Sequence, residues 1–461
     1  MESANNDDRP LQRTALLVTT LSSLLTPMMA SAINVAMPAI GREFAMGAVT
    51  LSWVASAYLL AAAVFLLPFG RLADITGRKR MFVIGTAVFS AASLLAGLAP
   101  DARTFLGARM LQGMGGAMIF GTGVAILTSV FPPQRRGWVL GINVGATYAG
   151  LSLGPFVGGL LTHHWGWRWV FLLNLPLGLL VLGAVHLRMK QEWADCRGEA
   201  FDWQGSLGYS LMLTAFMLGF TWLPAGRGAV MLLAAAGLFP AFIWWESRSA
   251  HPIFQARLVR GNTVFAFSNL AALVNYSATF AIGFLLSLYL QYIKGFTPRG
   301  AGLVLVAQPV LMALFSPLAG RLSDRHEPRV VASLGMGLCA AGLFFFSWLG
   351  PASSLSAIVA DLMLVGLGFA LFSSPNTNAI MGAVERRHYG VASATLATMR
   401  MVGQMLSMGI AALAFSLFIG KVRIEPASYP LFLKSMRVSF LVFFALCCCG
   451  VFFSLARGRV R

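Results

Sequence analysis

The sequence predicts an all-α integral membrane protein with fourteen transmembrane helices. Hydrophobic residues make up 57% of the 461 residues and charged residues only 11%, whereas soluble domains carry about 25% charged residues. The surplus of apolar side chains must therefore face lipid rather than water. Apolar runs of about 20 residues, the length that crosses a bilayer, recur fourteen times along the chain. The 48 glycines fit this prediction, because small residues let membrane helices approach closely.

The fourteen apolar runs set the predicted helices. The first run continues well beyond the short apolar core of a cleavable signal peptide, so we expect it to remain as an anchor. Pro224 and Gly226 separate the seventh run from the eighth. The predicted spans are 14–38, 49–70, 80–99, 104–130, 137–160, 167–187, 203–222, 228–245, 264–290, 299–321, 329–349, 354–383, 395–419 and 432–455.

An internal repeat divides these helices into two sets. Residues 70–74 read GRLAD, and residues 320–324 read GRLSD, 250 positions later. The two copies follow the second and the tenth apolar runs, so two six-helix bundles with a two-helix insertion between them are predicted. The corresponding domains are 1–190, 191–260 and 261–461. Parallel repeats about an axis along the membrane normal are typical of membrane transporters.

The basic residues indicate the orientation. The net charge is +18, but the charges lie in short clusters between apolar runs, which argues against a nucleic-acid-binding face. An even number of helices puts both termini on one side. Lys and Arg are about twice as frequent on that side as on the other, so we expect both termini in the cytoplasm and the chain in the cytoplasmic (inner) membrane.

Several chemistries are not indicated by the sequence. The five cysteines show no metal-ligand spacing with histidine, and no phosphate-binding loop of the GxxxxGK(S/T) type is present. The six histidines are scattered, and they form no catalytic constellation with an intramembrane acid. We therefore predict that the protein is not an enzyme and holds neither a metal nor a cofactor.

The loop after the second helix carries a candidate gate, formed by Gly70, Asp74, Gly77 and Arg78, with Asp324 in the second copy. Asp74 can pair with basic groups or cap the next helix, and the glycines permit a tight turn. Charge pairs of this kind would hold one side of the protein shut and break when the halves rock. The alternative is a solvated loop that only sets orientation.

These segments resemble the major facilitator superfamily. The loop at 70–80 is similar to the signature between helices two and three of that family, and residues 106–117 are similar to its fourth-helix motif. Residues 154–159 resemble the fifth-helix motif of antiporters. Residues 167–176 and 201–203 resemble the fourteen-helix drug:proton antiporter branch, which is of the multidrug-resistance efflux type.

The resemblance implies a major facilitator fold and secondary-active, proton-coupled export of small amphipathic compounds such as drugs, dyes and biocides by alternating access. The expected partners are a small-molecule substrate, protons and the lipid bilayer, and we expect a monomer. A periplasmic adaptor and an outer-membrane channel remain open as further partners. The alternative is an exporter or transporter of one specific metabolite or siderophore, with or without proton coupling.

The fifth-helix motif consists of Gly154, Pro155, Gly158 and Gly159. Pro155 removes a backbone hydrogen bond, and the glycines allow a bendable, closely packed helix. The resemblance implies that this motif seals the export-competent state against proton leak. Ordinary helix packing would require the same glycines.

Asp361 is the only acid well inside an apolar run, and ionisable groups within a membrane are costly and usually functional. Aligning the glycines of the fourth and twelfth helices places Asp361 next to the position that matches Arg109. Our hypothesis is that Asp361 carries the coupling proton and that Arg109 modulates it. The alternatives are that Asp361 bonds a neighbouring helix or reaches the outer interface, and that Arg109 extends to the outside.

The first helix departs from the branch, in which many relatives have an aspartate at the position of Met29. Its absence implies neutral or anionic substrates, or a proton site elsewhere. Arg400 matches an arginine common in the branch, and we expect it near the inner end of the thirteenth helix, paired with a loop acid or a lipid phosphate. Polar residues that could line a cavity, or equally bond helix to helix, are Asn34, Gln112, Asn275, Tyr276, Gln308 and Asn376.

Overall fold

The computed structural model describes residues 8–254, 261–385, 389–420 and 422–458, and it confirms fourteen long helices within them. Three helices, α6, α9 and α10, consist of consecutive segments. The helices are α1 (Asp8–Glu43), α2 (Ala48–Thr76), α3 (Arg78–Gly97), α4 (Ala102–Val130), α5 (Pro133–His164), α6 (Arg168–Leu172 and Asn174–Arg188), α7 (Trp203–Trp222), α8 (Gly226–Arg248), α9 (Thr263–Thr279, Ile282–Leu288 and the π-helical Tyr289–Ile293), α10 (Pro298–Leu305 and Ala307–Arg325), α11 (Pro328–Phe346), α12 (Leu355–Gly382), α13 (Tyr389–Phe418) and α14 (Tyr429–Ala456).

Thirteen of the helices in the described residues are both long and apolar enough to cross a membrane. The remaining one, α7, has 20 residues, which span about 30 Å at 1.5 Å per residue. The predicted count of fourteen helices therefore holds.

Short polar side chains begin several of these helices. Asp101 caps α4, since its Oδ1 accepts hydrogen bonds from the backbone N–H groups of Arg103 (2.8 Å) and Thr104 (2.9 Å). Thr297 caps α10 and Ser354 caps α12 in the same way. Because a carboxylate or hydroxyl oxygen satisfies N–H groups that have no partner within the helix, these residues fix where each helix starts.

The two halves repeat each other at the level of helix packing. A Cβ atom at Gly115 of α4 would lie 2.8 Å from the Gly85 carbonyl oxygen of α3. At Gly368 of α12, a Cβ atom would lie 2.7 Å from the Gly335 carbonyl oxygen of α11. The fourth helix of each half thus packs on the third at equivalent glycines, which agrees with the predicted repeat.

The insertion helix α7 contacts both halves. The Tyr209 hydroxyl of α7 donates to the Ala63 carbonyl of α2 (2.9 Å), and the Ser416 hydroxyl of α13 donates to the Leu223 carbonyl at the end of α7 (2.9 Å). Helix α8 packs on the other face of α7 and exposes most of its own side chains. The predicted insertion boundary at 190–191 falls between α6 and α7, whereas residues 255–260, next to the second boundary, lie outside the described residues.

The halves meet on one side of the membrane. We call this the α1–α2 side, because it carries residues 44–47, and we call the opposite side, with Gly77, the α2–α3 side. Near the α1–α2 side, the Ser287 hydroxyl donates to the Asn34 carbonyl (2.6 Å), and the Gln291 amide donates to the Val35 carbonyl (2.9 Å). Both bonds join α9 to α1, so the described state is closed at this side.

Candidate functional site

The fifth-helix motif packs against both halves at once. Gly154 and Gly158 face α1, where a Cβ atom would lie 2.6 Å from the Met28 carbonyl oxygen and 2.6 Å from Ala32 Cα, respectively. Gly159 instead faces α10 of the other half, where a Cβ atom would lie 2.7 Å from the Pro298 carbonyl oxygen.

Pro155 belongs to this second contact. A Cβ atom at Gly302 of α10 would lie 2.2 Å from the Pro155 carbonyl oxygen. Two helix backbones therefore touch without side chains between them near the α1–α2 side. An interface this close depends on glycine, and it must open for that side to open.

The α2–α3 loop depends on one of its two predicted glycines. Gly77 has φ +128°, a conformation that glycine adopts without steric cost, and a Cβ atom there would lie 2.5 Å from the Glu192 carboxyl carbon. The Glu192 carboxylate accepts hydrogen bonds from the backbone N–H groups of Lys79 (2.8 Å) and Arg80 (3.1 Å) at the start of α3. Gly70 does not form a turn as predicted, because it lies inside α2, where a Cβ atom would meet nothing within 4 Å.

Asp74 pairs with Arg78, a basic residue of the same loop. Arg78 Nη2 lies 2.7 Å from Asp74 Oδ1 and 2.8 Å from Asp195 Oδ2, and Arg78 Nη1 donates to the Ser129 hydroxyl of α4 (2.6 Å). The pair therefore joins α2 to α4 and to the segment after α6. In the second copy of the repeat, Asp324 lies in α10, and its side chain is outside the part of the chain that the structure describes.

The segment at 189–199 is docked on this loop by further charges. Arg71 Nη2 lies 2.5 Å from Glu199 Oε2, and His251 Nδ1 lies 2.8 Å from the same oxygen. The hydrogen bond from Arg71 holds the pKa of Glu199 below its ordinary value. Burial raises the pKa of the Cys196 thiol, which also accepts a contact from Arg71.

Arg109 is 1% exposed and is held within the first half. Its Nε donates to the Val54 carbonyl of α2 (2.9 Å), and its Nη1 donates to the Gln112 side chain. The guanidinium lies 4.7 Å from the centroid of the Tyr58 ring, a cation–π arrangement. The Gln112 side-chain amide in turn donates a hydrogen bond to the Ser93 hydroxyl of α3 (2.7 Å).

Asp361 is 8% exposed and lies on α12, with Oδ1 pointing toward Gly342 of α11. This oxygen has no hydrogen-bond partner among the described residues. The contacts described for Arg109 lie in the first half and those of Asp361 in the second, and the two groups form no described contact with each other. Asp361 is thus placed between helices of its own half, and no hydrogen bond from its Oδ1 to a neighbouring helix is described.

A cluster of aromatic and polar side chains joins the halves deeper in the membrane. The Tyr148 hydroxyl of α5 lies 2.9 Å from the Ser373 hydroxyl of α12. The Tyr276 ring of α9 packs edge-on against Phe369 of α12, with centroids 5.4 Å apart. The Arg400 guanidinium of α13 lies 5.1 Å from the Tyr276 ring centroid.

Arg400 lies deeper than its predicted place near a helix end. Helix α13 begins at Tyr389, six residues before the predicted start at 395, so Arg400 lies about 16 Å along the helix axis. Its described neighbour is the Tyr276 ring, and no ion pair with a loop acid is found among the described residues. We name Tyr148, Tyr276, Ser373 and Arg400 the interface cluster.

The other cavity candidates divide into two groups. Asn34 and Gln308 are partly exposed, and the Asn34 amide lies near Gly283 of the other half. Asn275 is fully buried beside the Cys339 thiol of α11. Asn376 donates to the Ser268 carbonyl (3.0 Å) and accepts from Arg457 (2.9 Å). The structure thus places Asn275, Asn376 and Gln112 inside their own halves and Tyr276 and Asn34 closer to the interface.

Sequence reasoning missed the acids of the docked segment and the hydroxyls of the interface cluster. Glu192, Asp195 and Glu199 form a short acidic run between two helices, and its charge, opposite to that of the basic loop at 78–80, was a usable signal. Tyr148 and Ser373 carry no such signal, since a single hydroxyl in an apolar run resembles any helix-packing group. Among the described residues, no group of three or more His, Cys, Asp or Glu side chains could hold a metal ion.

Comparison with known proteins supports the same fold. The chain is 32% identical over 408 residues to the multidrug resistance protein Stp of Mycobacterium tuberculosis (strain ATCC 25618 / H37Rv), covering 87% of this chain and 75% of that protein. It is 28% identical over 414 residues to the riboflavin transporter RibZ of Clostridioides difficile (strain 630), covering 88% of each chain.

A solved structure has the same architecture. The bacterial homolog of the human lysosomal transporter Spinster, in an inward-facing and unoccupied conformation, superposes with a TM-score of 0.72 at 17% identity and covers 97% of both chains. The sequence also matches the family description "Major Facilitator Superfamily" over residues 19–245 and 269–460. The chain is therefore a multi-pass membrane transporter that belongs to the Major Facilitator Superfamily.

Proposed function

We propose that the protein is a proton-coupled exporter of small amphipathic compounds, working by alternating access. The observation that carries the coupling is Asp361, a buried carboxyl with one oxygen that has no described hydrogen-bond partner. Similarity to a protein named for multidrug resistance supports the export direction and the broad substrate class.

Alternating access requires contacts that can be made and broken as whole surfaces. The contact of Pro155 and Gly159 with α10 is such a surface, because backbone meets backbone and no side chain has to be extracted. When the halves rock about the interface cluster, this contact would separate. On the α2–α3 side, the same movement would shift the loop at 70–80 relative to its contacts.

Proton coupling needs a group that is stable in two protonation states during the cycle. A carboxylate without a partner is costly in a membrane interior, so Asp361 would be carried as the neutral acid in the described state. Movement of α12 against α11 would admit water or a polar partner and allow the proton to leave. Arg109, already satisfied within its own half, would hold α2, α3 and α4 together during this movement.

The expected placement of the chain follows from the basic loops. The α2–α3 side would face the cytoplasm, with both termini, in the cytoplasmic membrane. A single chain contains both halves and the interface between them, so a monomer would suffice for transport. A periplasmic adaptor and an outer-membrane channel are the candidate further partners, and they would bind at the α1–α2 side.

The test is transport in proteoliposomes with an imposed pH gradient. The probes are ethidium as a cation, Nile red as a neutral dye and fluorescein as an anion. We expect at least one dye to move against its concentration gradient in exchange for protons. In the Asp361→Asn variant, transport should no longer depend on the pH gradient, whereas exchange of dye inside the vesicle for dye outside should persist.

Asp101→Asn is the matched control. Asp101 is an exposed acid on the α1–α2 side, and asparagine also caps helices well, so this variant should transport as the native protein does. Full proton-driven transport by Asp361→Asn would remove Asp361 from the mechanism. If the native protein transports the dyes but the pH gradient changes the rate for none of them, transport is not coupled to protons.

A narrower function is the second candidate, and the relative named as a riboflavin transporter favours it. In that case the protein would move one compound and ignore the dyes. The test is uptake of labelled riboflavin. If unlabelled riboflavin inhibits this uptake and the three dyes do not, the result favours this narrower function over broad export.

A further inference from the structure

We propose that the interface cluster is the cargo site and that it selects small aromatic anions, which bind the guanidinium of Arg400. This inference rests on the proposed transport function and specifies its substrate class. It uses a residue that sequence reasoning had assigned to a loop acid or a lipid phosphate. Four properties of the cluster support it: its position, the missing partner of Arg400, the distance to the nearest acids and the ring surfaces.

The cluster occupies a position where a cargo would contact both halves. Tyr148 comes from the first half, whereas Tyr276, Ser373 and Arg400 come from three different helices of the second. The Tyr148–Ser373 contact of 2.9 Å bridges the halves. A molecule bound here would therefore replace or extend a contact that changes when the halves rock.

Arg400 lacks an ionic partner in the described residues. Its Nε atom is buried and has no hydrogen-bond partner, and its described neighbours are the ring and hydroxyl of Tyr276. Arg109 and Arg457 each donate to a side-chain amide of their own half, although Nε and Nη2 of Arg457 also have no hydrogen-bond partner among the described residues. A phenol ring and a hydroxyl do not neutralise a guanidinium, so no charge among the described contacts of Arg400 compensates its positive charge.

The acids of the membrane interior are too distant to supply that partner. Asp361 and Ser373 are twelve residues apart on α12, which corresponds to about 18 Å along the helix axis. Glu246 lies near the end of α8, on the far side of α7, and accepts a bond from the Phe254 N–H (2.8 Å). The first half contributes no acid at Met29, whose sulfur lies 2.7 Å from the Asn174 amide nitrogen.

The site therefore has the charge of an anion receptor. A cation bound beside Arg400 would meet a like charge in a medium of low dielectric, whereas a carboxylate or sulfonate could form paired hydrogen bonds with the guanidinium fork. The rings of Tyr148, Tyr276 and Phe369 offer surfaces for an aromatic body. The matching cargo is an aromatic ring system bearing one acidic group.

The experiment compares two xanthene dyes of similar size and opposite charge, fluorescein and rhodamine 123. Binding is measured by fluorescence anisotropy with the full chain in phosphatidylcholine nanodiscs and without any gradient. We expect fluorescein to bind more tightly than rhodamine 123. Arg400→Gln should weaken fluorescein binding roughly 10-fold or more, because a charge-assisted hydrogen bond is lost, and Arg400→Lys should restore part of it.

Arg437→Gln is the matched control, since Arg437 is an exposed arginine on the membrane helix α14 of the same half. It should leave fluorescein binding unchanged. Wild-type protein that binds no fluorescein, that prefers rhodamine 123, or that binds fluorescein equally well after Arg400→Gln would overturn the proposal. Loss of fluorescein binding when phosphatidylglycerol replaces part of the lipid would assign the site to a lipid headgroup and overturn it as well.

The outcome is separable from that of the transport assay. Fluorescein binding through Arg400 with no dye transport under any gradient would refute export and leave the anion site standing. Proton-driven transport of ethidium with no Arg400-dependent binding of fluorescein would refute the anion site and leave the exporter standing.

Discussion

A single methyl group at Gly302 should open the α1–α2 side. Gly302 of α10 faces the Pro155 carbonyl oxygen of α5, and a Cβ atom would lie 2.2 Å from that oxygen. This is about 1 Å closer than ordinary van der Waals contact, and the obstructing atom belongs to a helix backbone, so it cannot rotate away. The two helices must separate for alanine to fit.

The cost falls on one state of the transport cycle. Overpacking a tight interface costs about 1–3 kcal/mol, and here only the state in which α5 and α10 touch bears it. The higher helix propensity of alanine acts in both states and cancels. The equilibrium between closed and open should therefore shift roughly 5- to 150-fold toward opening of the α1–α2 side.

The measurement is a distance distribution between two spin labels. Arg103→Cys and Ser356→Cys place the labels at exposed positions near the starts of α4 and α12, both on the α1–α2 side. Double electron–electron resonance should show a longer-distance population that Gly302→Ala increases. Gly145→Ala is the control, because a Cβ atom at Gly145 of α5 meets nothing within 4 Å.

Two results would refute this reasoning. If Gly302→Ala leaves the distribution as it is in the native sequence, the backbone contact does not hold the side closed. If Gly145→Ala shifts the distribution equally, the effect comes from glycine removal in general and not from the contact.

Two further predictions concern the docked segment at 189–199. Gly77→Ala should lower the free energy of unfolding by about 1–3 kcal/mol, because it strains the backbone and displaces Glu192. In thermal unfolding, this variant should melt at a lower temperature than the control Gly70→Ala, where a Cβ atom meets nothing within 4 Å. Equal melting temperatures of the two variants would contradict the argument. Because Arg71 holds the pKa of Glu199 below its ordinary value of 4.5, the carboxylate stabilises docking above about pH 4.5, and this contribution is lost as the pH falls through the lowered pKa. A spin label at Arg197→Cys should become mobile only in that acid range, whereas in the Glu199→Gln variant the same label should already be mobile at neutral pH. If the label is equally immobile at neutral pH with and without Glu199→Gln, the Arg71–Glu199 ion pair does not anchor the segment.

The fold could be predicted because its causes are spread over hundreds of residues. Apolar length fixes each helix, and the spacing of 250 positions between 70–74 and 320–324 fixes the repeat. A few errors at helix ends do not change the count. One of those errors nevertheless mattered, since the start of α13 at Tyr389 instead of 395 places Arg400 eleven residues into the helix and not near its end.

The partners of individual charges could not be predicted in the same way. Glu192 lies more than a hundred residues from Lys79 in sequence, and its contact requires that α6 return to the α2–α3 side beside α3. Asp74 near the end of α2 and Arg78 at the start of α3 are four residues apart, so their contact is local. Long-range charge pairs depend on the completed packing, which no local pattern contains.

Three arginines within the helical bundles show where this limit bears on function. Arg109 and Arg457 each donate to an amide of their own half, Gln112 and Asn376, so these described bonds stay within one bundle. Arg400 lies where the halves meet, and the described contacts give it a tyrosine and no amide or acid. Because its own bundle supplies no described counter-charge, the energy of the Arg400 charge depends on the position of the other half and on the bound cargo. Arg400 is therefore the interior charge through which binding of an anion can favour one arrangement of the halves over the other.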